Sequence, residues 1–507
     1  MDIKKRVVIN SLVLYAKIIV SMALTLVSVP LILKAMGASD YGLYNLIAGV
    51  VGMLTFLNNS LTVSSQRYMS VSIGSGDNNR INLVYNTSFY LHLLLGIVVV
   101  LLLETGSFFI GLLNIEPDRL WCAQIIYQFL ILTLFLRIVS VPFDALINAY
   151  EDMIAFAAIE LLDSLLLLVV AISIKYIPYD KLIYYGLSVC LVALINILLK
   201  WIWCRLKYKK YRINIIAYKK KLLTKEMSSF AGWNLFGGLA MIGRNQGVAV
   251  IINLFLGTVA NAAYGIANQI NGALSSFSGT FQRAINPQLM KSEGMNNRDR
   301  LLRISNITAK YSVLALGFLA IPLIIVMPEV LQIWLKDDIP VNTMELSRCV
   351  LIMTIIYQYS QGIMSAIQAA GDIKRYQITM GIIILLNLPL SYVVLSIGLP
   401  VYFVTIGFIV LEFVSLIFRV RIANDLINMP INEFIYSVVK PTFIILLITF
   451  LCGLLVRYFC TTVWGSVFFT STVSGGVFFF MIWMYDFSAE QRKLILSKIK
   501  TRNEQHK

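Results

Sequence analysis

A short, strongly basic segment between two long apolar segments constrains this chain more than any other feature. Residues 200–225 contain ten Lys or Arg and no acidic residue, and apolar segments at 182–203 and 230–256 flank them. Each apolar segment has the roughly 20 residues that a helix needs to cross a bilayer. Because positive charge beside a membrane span marks the cytoplasmic side, the sequence predicts a cytoplasmic loop here and not a nucleic-acid-binding arm or a disordered tail.

The composition agrees with a membrane protein. The 507 residues are 58% apolar and 13% charged, with a net charge of +16, whereas soluble domains average about 25% charged residues. The six cysteines show no metal-binding or disulfide spacing, and there are only two histidines. No phosphate-binding loop, metal-ligand cluster or nucleophile–base pair is found in the sequence. We therefore expect no metal, no cofactor, no nucleic-acid partner and no enzymatic activity.

Fourteen apolar spans are predicted, and the positive charges sort sharply between the two sides. About 32 of the 42 Lys and Arg fall on the side of the basic loop, six fall on the opposite side, and four lie within spans. This asymmetry predicts that both termini are cytoplasmic. The spans are predicted at about 8–33, 42–62, 83–103, 120–143, 154–176, 182–204, 228–256, 258–283, 307–328, 345–370, 377–396, 401–418, 438–459 and 464–485.

An internal repeat divides the spans into two groups of six. The segment at 37–44 (GASDYGLY) matches the segment at 257–264 (GTVANAAY) at a shift of 220, and span four matches span ten at a shift of 221. Such parallel repeats are related by an axis along the membrane normal, with the substrate site between them. We predict an all-α polytopic membrane protein of about 14 transmembrane helices, with two six-helix lobes around a central cavity and two further C-terminal helices. The predicted divisions are an N-lobe at 1–206, a basic loop at 207–227, a C-lobe at 228–420, spans thirteen and fourteen at 421–485, and a basic cytoplasmic tail at 486–507.

Polar residues recur at helical spacing inside several spans, most of all in spans four, eight and ten. Helix–helix hydrogen bonding accounts for one or two polar groups in a membrane helix, but not for a face of five or six. The stripes therefore favour a water-filled cavity. The residues expected to line it and to bind sugars are Asn245, Asn268, Asn271, Gln358 and Gln361.

Charged residues within the spans are further candidates, because an ionised side chain at the bilayer centre costs at least ~2.5–3.5 kcal/mol on insertion scales. Lys17 and Arg244 have no acid at helical spacing and are predicted to bind an anion such as a diphosphate, together with Arg137. A structural pair of Arg137 with Glu160 is the alternative. Asp163, one turn from Glu160, makes these two acids the candidates for ion coupling. Arg348 is expected to extend to the outer interface.

At this point the chain resembles bacterial polysaccharide transporters, the Wzx-type O-antigen or capsule flippases of the multidrug/oligosaccharidyl-lipid/polysaccharide (MOP) superfamily. The resemblance lies in the 6 + 6 + 2 arrangement of spans, in residues 37–44 and in the turn NAYED at 148–152. It implies a monomer in the bacterial inner membrane that moves an undecaprenyl-diphosphate-linked oligosaccharide to the outer leaflet by alternating access. It also implies basic cavity residues, of which Lys17 is one, and H⁺ or Na⁺ coupling in some members.

The partners expected of such a flippase are the undecaprenyl-diphosphate-linked glycan, membrane lipids, and the polysaccharide polymerase and chain-length machinery. Two other functions stay open on the sequence. A MATE-like multidrug or cation antiporter would carry acids in its first-lobe cavity, where span one here carries Lys17. A polysaccharide polymerase or ligase usually needs a sizeable outer loop, and the outer loops here are short.

Overall fold

The computed structural model describes residues 3–52, 54–108, 110–112, 115–214, 221–336 and 338–485. In these ranges the regular elements are helices, as predicted. The predicted tail at 486–507 lies outside the described residues, as do residues 215–220 of the basic loop. The α-helices are α1 Ile3–Met36, α2 Ala38–Gly52, α3 Thr55–Gly74, α4 Asn78–Ser107, α5 Leu120–Ala149, α6 Met153–Ser173, α7 Lys181–Lys207, α8 Lys221–Gly294, α9 Arg298–Ile325, α10 Met327–Leu335, α11 Thr343–Tyr359, α12 Gln361–Ala370, α13 Lys374–Leu385, α14 Asn387–Ser396, α15 Tyr402–Ile427, α16 Ile431–Phe434, α17 Lys440–Phe459 and α18 Val463–Tyr485.

The helices are those of a multi-pass membrane protein. Within the described ranges, eleven helices are long and apolar enough to cross a membrane, or twelve if the bent pair α11 and α12 forms one span. The number of about fourteen stays a prediction. One reason for the lower number is that α8 contains two predicted spans, joined at Gly257, where φ is +77°. Glycine reaches this left-handed region without steric penalty, so the break occurs where the sequence allows it.

Contacts divide the chain into two compact units that differ from the predicted lobes in one respect. Unit 1 comprises Met1–Leu239, Arg283–Leu301 and Gln368–Ile378, and unit 2 comprises Ala240–Gln282, Leu302–Ile367 and Thr379–Lys507. Two short segments of the predicted C-lobe, 283–301 and 368–378, thus pack with unit 1. Each segment lies at or after the end of a predicted span, and the distribution of Lys and Arg predicts that this end is cytoplasmic.

In unit 1 the central helix is α5. It packs against α2, α3, α4, α6 and α7, and α1 packs against α6. The buried side chains of α5 are apolar along most of its length, for example Ile126, Leu134 and Ile138. This burial explains why α5 carries few lipid-facing groups and why its polar residues point to neighbouring helices. In unit 2, α15 packs against α11 and α14, and α17 packs against α18.

A charged cluster joins helix ends on the predicted outer side of unit 1. Arg119 donates to Asp180 and, at 2.7 Å, to Asp40, while the Asp180 carboxylate also accepts from the amides of Leu182 and Ile183 at the start of α7. Burial alone would raise the pKa of Asp180, but the Ile183 amide and the Arg119 guanidinium hold that pKa below its usual range. The cluster therefore fixes the outer ends of α2, α5 and α7 to one another.

Candidate functional site

A charged cavity lies among the membrane helices of unit 1. Its volume is about 200 Å³. It is lined by side chains from α3, α5, α6 and α7, three of them carboxylates and two of them cations. The lining residues are Thr62, Leu136, Arg137, Ser140, Val141, Asp144, Glu160, Asp163, Ala193, Asn196 and Lys200.

Lys200 joins two of the carboxylates. Its Nζ lies 2.8 Å from Asp144 Oδ1 and 2.9 Å from Glu160 Oε1, and the residue is only 4% exposed. Nζ also lies 5.8 Å from the centre of the Phe156 ring. Lys200 begins the basic segment 200–225, which the sequence predicts to be a cytoplasmic loop. The structure corrects this, because the side chain of Lys200 turns into the helix bundle and acts as the counter-ion of Asp144 and Glu160.

Glu160 also contacts Lys17. The Lys17 Nζ lies 3.6 Å from Glu160 Oε2, so Lys17 has an acidic neighbour on α6 that helical spacing within α1 did not reveal. The predicted pair of Arg137 with Glu160 is not observed. Lys200 and Lys17 contact the carboxylate instead, and the Arg137 guanidinium forms no ion pair or hydrogen bond with the described residues.

Asp163 has a neutral partner. Its Oδ1 accepts from Asn196 Nδ2 at 3.2 Å. Counting Lys17, which contacts Glu160, the cluster has three carboxylates and three cations, so its formal charge is zero when all six are ionised. Asp163 is the carboxylate without an ion pair among the described residues. It is therefore the one whose protonation breaks the fewest contacts.

In unit 2, Arg244 has no carboxylate partner among the described residues. Its guanidinium donates to Asn245 Oδ1 at 3.0 and 3.1 Å and lies over the Phe408 ring at 5.6 Å. The predicted anion-binding and sugar-binding residues Arg244 and Asn245 thus contact each other. Both side chains retain solvent exposure.

The other predicted sugar-binding residues differ in how they are used. Asn268 donates to the carbonyl of Tyr264 within its own helix at 3.0 Å. Asn271 accepts from Thr354 at 2.6 Å, and Gln358, which is 2% exposed, accepts from Ser278 at 2.6 Å. The contacts of Asn271 with Thr354 and of Gln358 with Ser278 hold α8 against α11. Their proposed role toward a sugar stays a prediction.

Two charged residues of unit 2 pair with each other. Arg419 pairs with Glu412 on the same helix, α15, and also donates to Ser360 Oγ at 2.9 Å. Ser360 lies at the 42° bend between α11 and α12. The pair therefore secures the bend from α15.

Arg348 contacts a neighbouring helix end. Its Nε donates at 2.9 Å to the carbonyl of Ile324, at the end of α9. Helix ends leave carbonyls without intrahelical partners, and Arg348 satisfies one of them. The predicted extension of Arg348 to the outer interface stays a prediction.

On the predicted cytoplasmic side of unit 1, Arg67 holds the end of α12. Its guanidinium donates to the carbonyls of residues 368, 369 and 370 at 2.7, 3.2 and 3.2 Å. It also lies over the rings of Tyr68 and Phe230 at 4.7 and 5.1 Å. Arg67 is 8% exposed, so a single buried cation ties the first predicted lobe to a helix end of the second.

A second contact of the same kind involves Glu151. Its carboxylate accepts from Lys291 and, at 2.6 Å, from Gln288, both near the end of α8. Glu151 has a φ of +60°, a conformation that costs a non-glycine residue of order 1–3 kcal/mol and that persists where surrounding contacts enforce it. A Cβ on Gly294 would collide with the carbonyl of Val71, so the end of α8 meets the end of α3 at backbone distance. We call the Arg67 and Glu151 contacts the latch.

The candidate residues predicted from the sequence do not include Lys200 or Arg67. Lys200 lies inside the span predicted at 182–204, and this position alone marks it as a charge within the membrane. Arg67 follows span two without any such signal. Among the described residues, no group of three His, Cys, Asp or Glu is placed to hold a metal ion.

The described part of the chain thus comprises two compact helical units, and unit 1 contains a charged cavity among its membrane helices. A family model described as polysaccharide biosynthesis protein matches residues 7–293. Since the match covers more than half of the chain, the protein belongs to this polysaccharide biosynthesis protein family. No curated protein matches the chain.

The fold is similar to the folds of several solved transporter structures. The chain is similar to a MATE protein in the bent conformation (TM-score 0.74, 14% identity, covering 84% of this chain and 96% of that one). It is also similar to a multidrug resistance MATE family transporter of the MOP superfamily in an outward-facing conformation (0.69, 14%, 84% and 96%). A third is a MOP superfamily transporter from Pyrococcus furiosus, described by a reverse polarity of its binding pocket that suggests a different function (0.70, 14%, 84% and 96%). At these identities the likeness concerns the fold alone.

Proposed function

We propose that the protein is a flippase that moves an undecaprenyl-diphosphate-linked oligosaccharide from the cytoplasmic to the outer leaflet of the bacterial inner membrane by alternating access. The observation that carries the proposal is that Arg137 and Arg244 lack a carboxylate partner among the described residues. Both lie within predicted spans, and neither forms an ion pair with a described carboxylate. A cation at that depth is stabilised by water or by an anion, and a diphosphate is the anion that a polysaccharide assembly route presents to a membrane protein.

Lys17 has a second role in this proposal. Glu160 is already neutralised by Lys200 at 2.9 Å, and Lys17 lies farther away at 3.6 Å. A diphosphate competes with Glu160 for Lys17, because charge-assisted bonds to phosphate are strong. The polar groups of unit 2, among them Asn245 and Asn268, offer hydrogen bonds to sugar hydroxyls. Binding at Lys17 thus changes the charge balance around Glu160 and Asp163.

Ion coupling follows from this change. When a diphosphate takes Lys17, the remaining cluster has one cation fewer, and a proton or Na⁺ at Asp163 or Glu160 restores neutrality. The two acids are therefore the coupling groups of the proposal. The diphosphate is common to O-antigen, capsule and other lipid-linked glycans, so contacts to the sugars distinguish among them.

We expect Lys17→Ala, Arg137→Ala and Arg244→Ala each to reduce surface glycan at least about tenfold, the effect of losing one charged contact of 1.4 kcal/mol or more. We expect Lys17→Arg to retain most of the function, because the binding of a diphosphate at this position depends on the positive charge more than on the shape of the side chain. The measurement is complementation of surface glycan in a strain that lacks the transporter, with membrane levels checked by immunoblot.

The matched control is Arg421→Ala, which removes an exposed arginine without a described partner. Arg348→Ala does not serve as a control, because Arg348 holds the end of α9. Full complementation by the Lys17→Ala/Arg137→Ala/Arg244→Ala variant contradicts the diphosphate site.

A second candidate function is export of a cation, which the three carboxylates of the unit 1 cavity favour. A cationic substrate would bind directly to Asp163 or Glu160 and would be repelled by Lys17 and Arg137. The two functions therefore predict opposite effects of Lys17→Ala, which impairs a flippase and improves a cation exporter.

A further inference from the structure

A rigid turn follows α7 on the predicted cytoplasmic side. Tyr208 and Tyr211 are 8% and 7% exposed. The Tyr208 ring stacks on Tyr150 at 4.7 Å, and the hydroxyls of Tyr211 and Tyr150 lie 2.6 Å apart. The Tyr211 hydroxyl also donates to Asn78 at 3.1 Å. The buried Tyr208 and Tyr211 and the half-buried Tyr150 therefore hold this turn against the ends of α4 and α5.

Further bonds hold the two ends of the turn. Asp152 accepts from the Tyr208 hydroxyl at 3.2 Å, from the Trp203 indole at 3.0 Å and from Lys207 at 2.6 Å. Asn86 donates to the carbonyl of Arg212 at 3.0 Å. Ordering a loop residue costs roughly 1–2 kcal/mol of backbone entropy, and here that cost is offset by buried rings and a shared carboxylate.

The same turn presents cations that have no partner in the part of the chain that the structure describes. Lys209, Lys210 and Arg212 are exposed, and their side chains form no hydrogen bond or ion pair with the described residues. Asp152, which binds the start of the turn, forms its ion pair with Lys207. Alternation of buried tyrosine and exposed cation along the turn thus fixes the backbone and leaves the positive charge outward.

The turn directly follows α7, a helix long and apolar enough to cross a membrane, so we expect it beside the lipid headgroups. Trp201 and Trp203 precede it by two turns of helix or less, and tryptophan is enriched at membrane interfaces. Polybasic segments beside a span are attracted to anionic lipids of the cytoplasmic leaflet by about 1 kcal/mol per cation. We propose that Lys209, Lys210 and Arg212 form a binding surface for the phosphate headgroups of anionic phospholipids. This surface is separate from the unit 1 cavity and does not depend on the flippase function.

The test is binding of phosphatidylglycerol to the purified full-length protein in detergent, measured by native mass spectrometry, with phosphatidylcholine of the same acyl chains as the neutral probe. We expect a preference for phosphatidylglycerol that Lys209→Gln/Lys210→Gln weakens about thirtyfold, which is two contributions of about 1 kcal/mol. The matched control is Arg303→Gln/Arg421→Gln, which removes two exposed arginines elsewhere on the predicted cytoplasmic side and leaves the preference unchanged.

Tyr211→Phe tests the rigid turn separately. It keeps the buried ring but removes the hydroxyl bonds to Tyr150 and Asn78, and we expect a severalfold weaker preference at an unchanged melting temperature. Equal binding of the two phospholipids, or equal effects of the two double variants, overturns the proposal. Tighter binding of undecaprenyl diphosphate than of phosphatidylglycerol, lost in the Lys209→Gln/Lys210→Gln variant, overturns it in favour of a substrate-capture site.

Discussion

Lys200→Met is expected to destabilise the folded protein by about 3–5 kcal/mol, the usual effect of removing one partner from a buried ion pair. Lys200 is the shared counter-ion of Asp144 and Glu160 and is 4% exposed. Methionine keeps the length and the apolar stem of the side chain but leaves Asp144 without a cation within ion-pair distance among the described residues. We expect a low membrane level and a lowered melting temperature in detergent.

The Lys200→Met/Asp144→Asn variant separates charge from packing. Removing both charges restores electroneutrality, because Glu160 keeps Lys17 as a partner, and much of the lost stability should return. Lys17→Ala is the contrasting single variant. The Lys17 side chain is 18% exposed and its pair is longer, so the protein should reach the membrane at a normal level. A Lys200→Met protein as stable as wild type, or no recovery in the double variant, contradicts the role assigned to Lys200.

Arg67→Ala is expected to open the latch. Hydrogen bonds to a charged group contribute about 1.5–3 kcal/mol each, and Arg67 makes three to the end of α12. Loss of even about 3 kcal/mol shifts an equilibrium between latched and unlatched states roughly a hundredfold. Alternating access requires the contacts on the cytoplasmic side to break when substrate enters from that side, so the variant should favour the cytoplasm-open state.

The reporter for this shift is Ser72→Cys, at a fully buried position near the end of α3, in a background without the six native cysteines. Its labelling by a membrane-permeant maleimide should rise strongly with Arg67→Ala. Arg80→Ala is the control, since Arg80 is exposed and has no described partner. Unchanged labelling in Arg67→Ala, or an equal rise in Arg80→Ala, contradicts the latch.

The membrane class and the helical fold follow from the sequence because both depend on composition and on the length of apolar segments. The agreement of Gly37 and Gly257, which have φ values of +86° and +77°, shows that even the helix breaks of the repeat are encoded locally. The partners of the charged residues are not encoded in this way. Spacing within α1 reveals nothing of Glu160 on α6, and the pair of Lys17 with Glu160 depends on how two distant helices pack.

The same limit applies to Arg348. Its own helix, α11, does not reveal that its side chain donates to the carbonyl of Ile324 at the end of α9. A charged residue in a membrane helix indicates that a partner or a function exists. The sequence does not say which helix supplies the partner.

The most direct test of the flippase proposal is transport by the purified protein in proteoliposomes. A fluorescent undecaprenyl-diphosphate-linked oligosaccharide is incorporated into both leaflets, and its exposure to a membrane-impermeant quencher is followed beside that of a lipophilic fluorescent cation. The account predicts movement of the oligosaccharide between leaflets that Lys17→Ala and Arg244→Ala abolish, with no transport of the cation. Gradient-driven transport of the cation, with no movement of the lipid-linked oligosaccharide, contradicts the account.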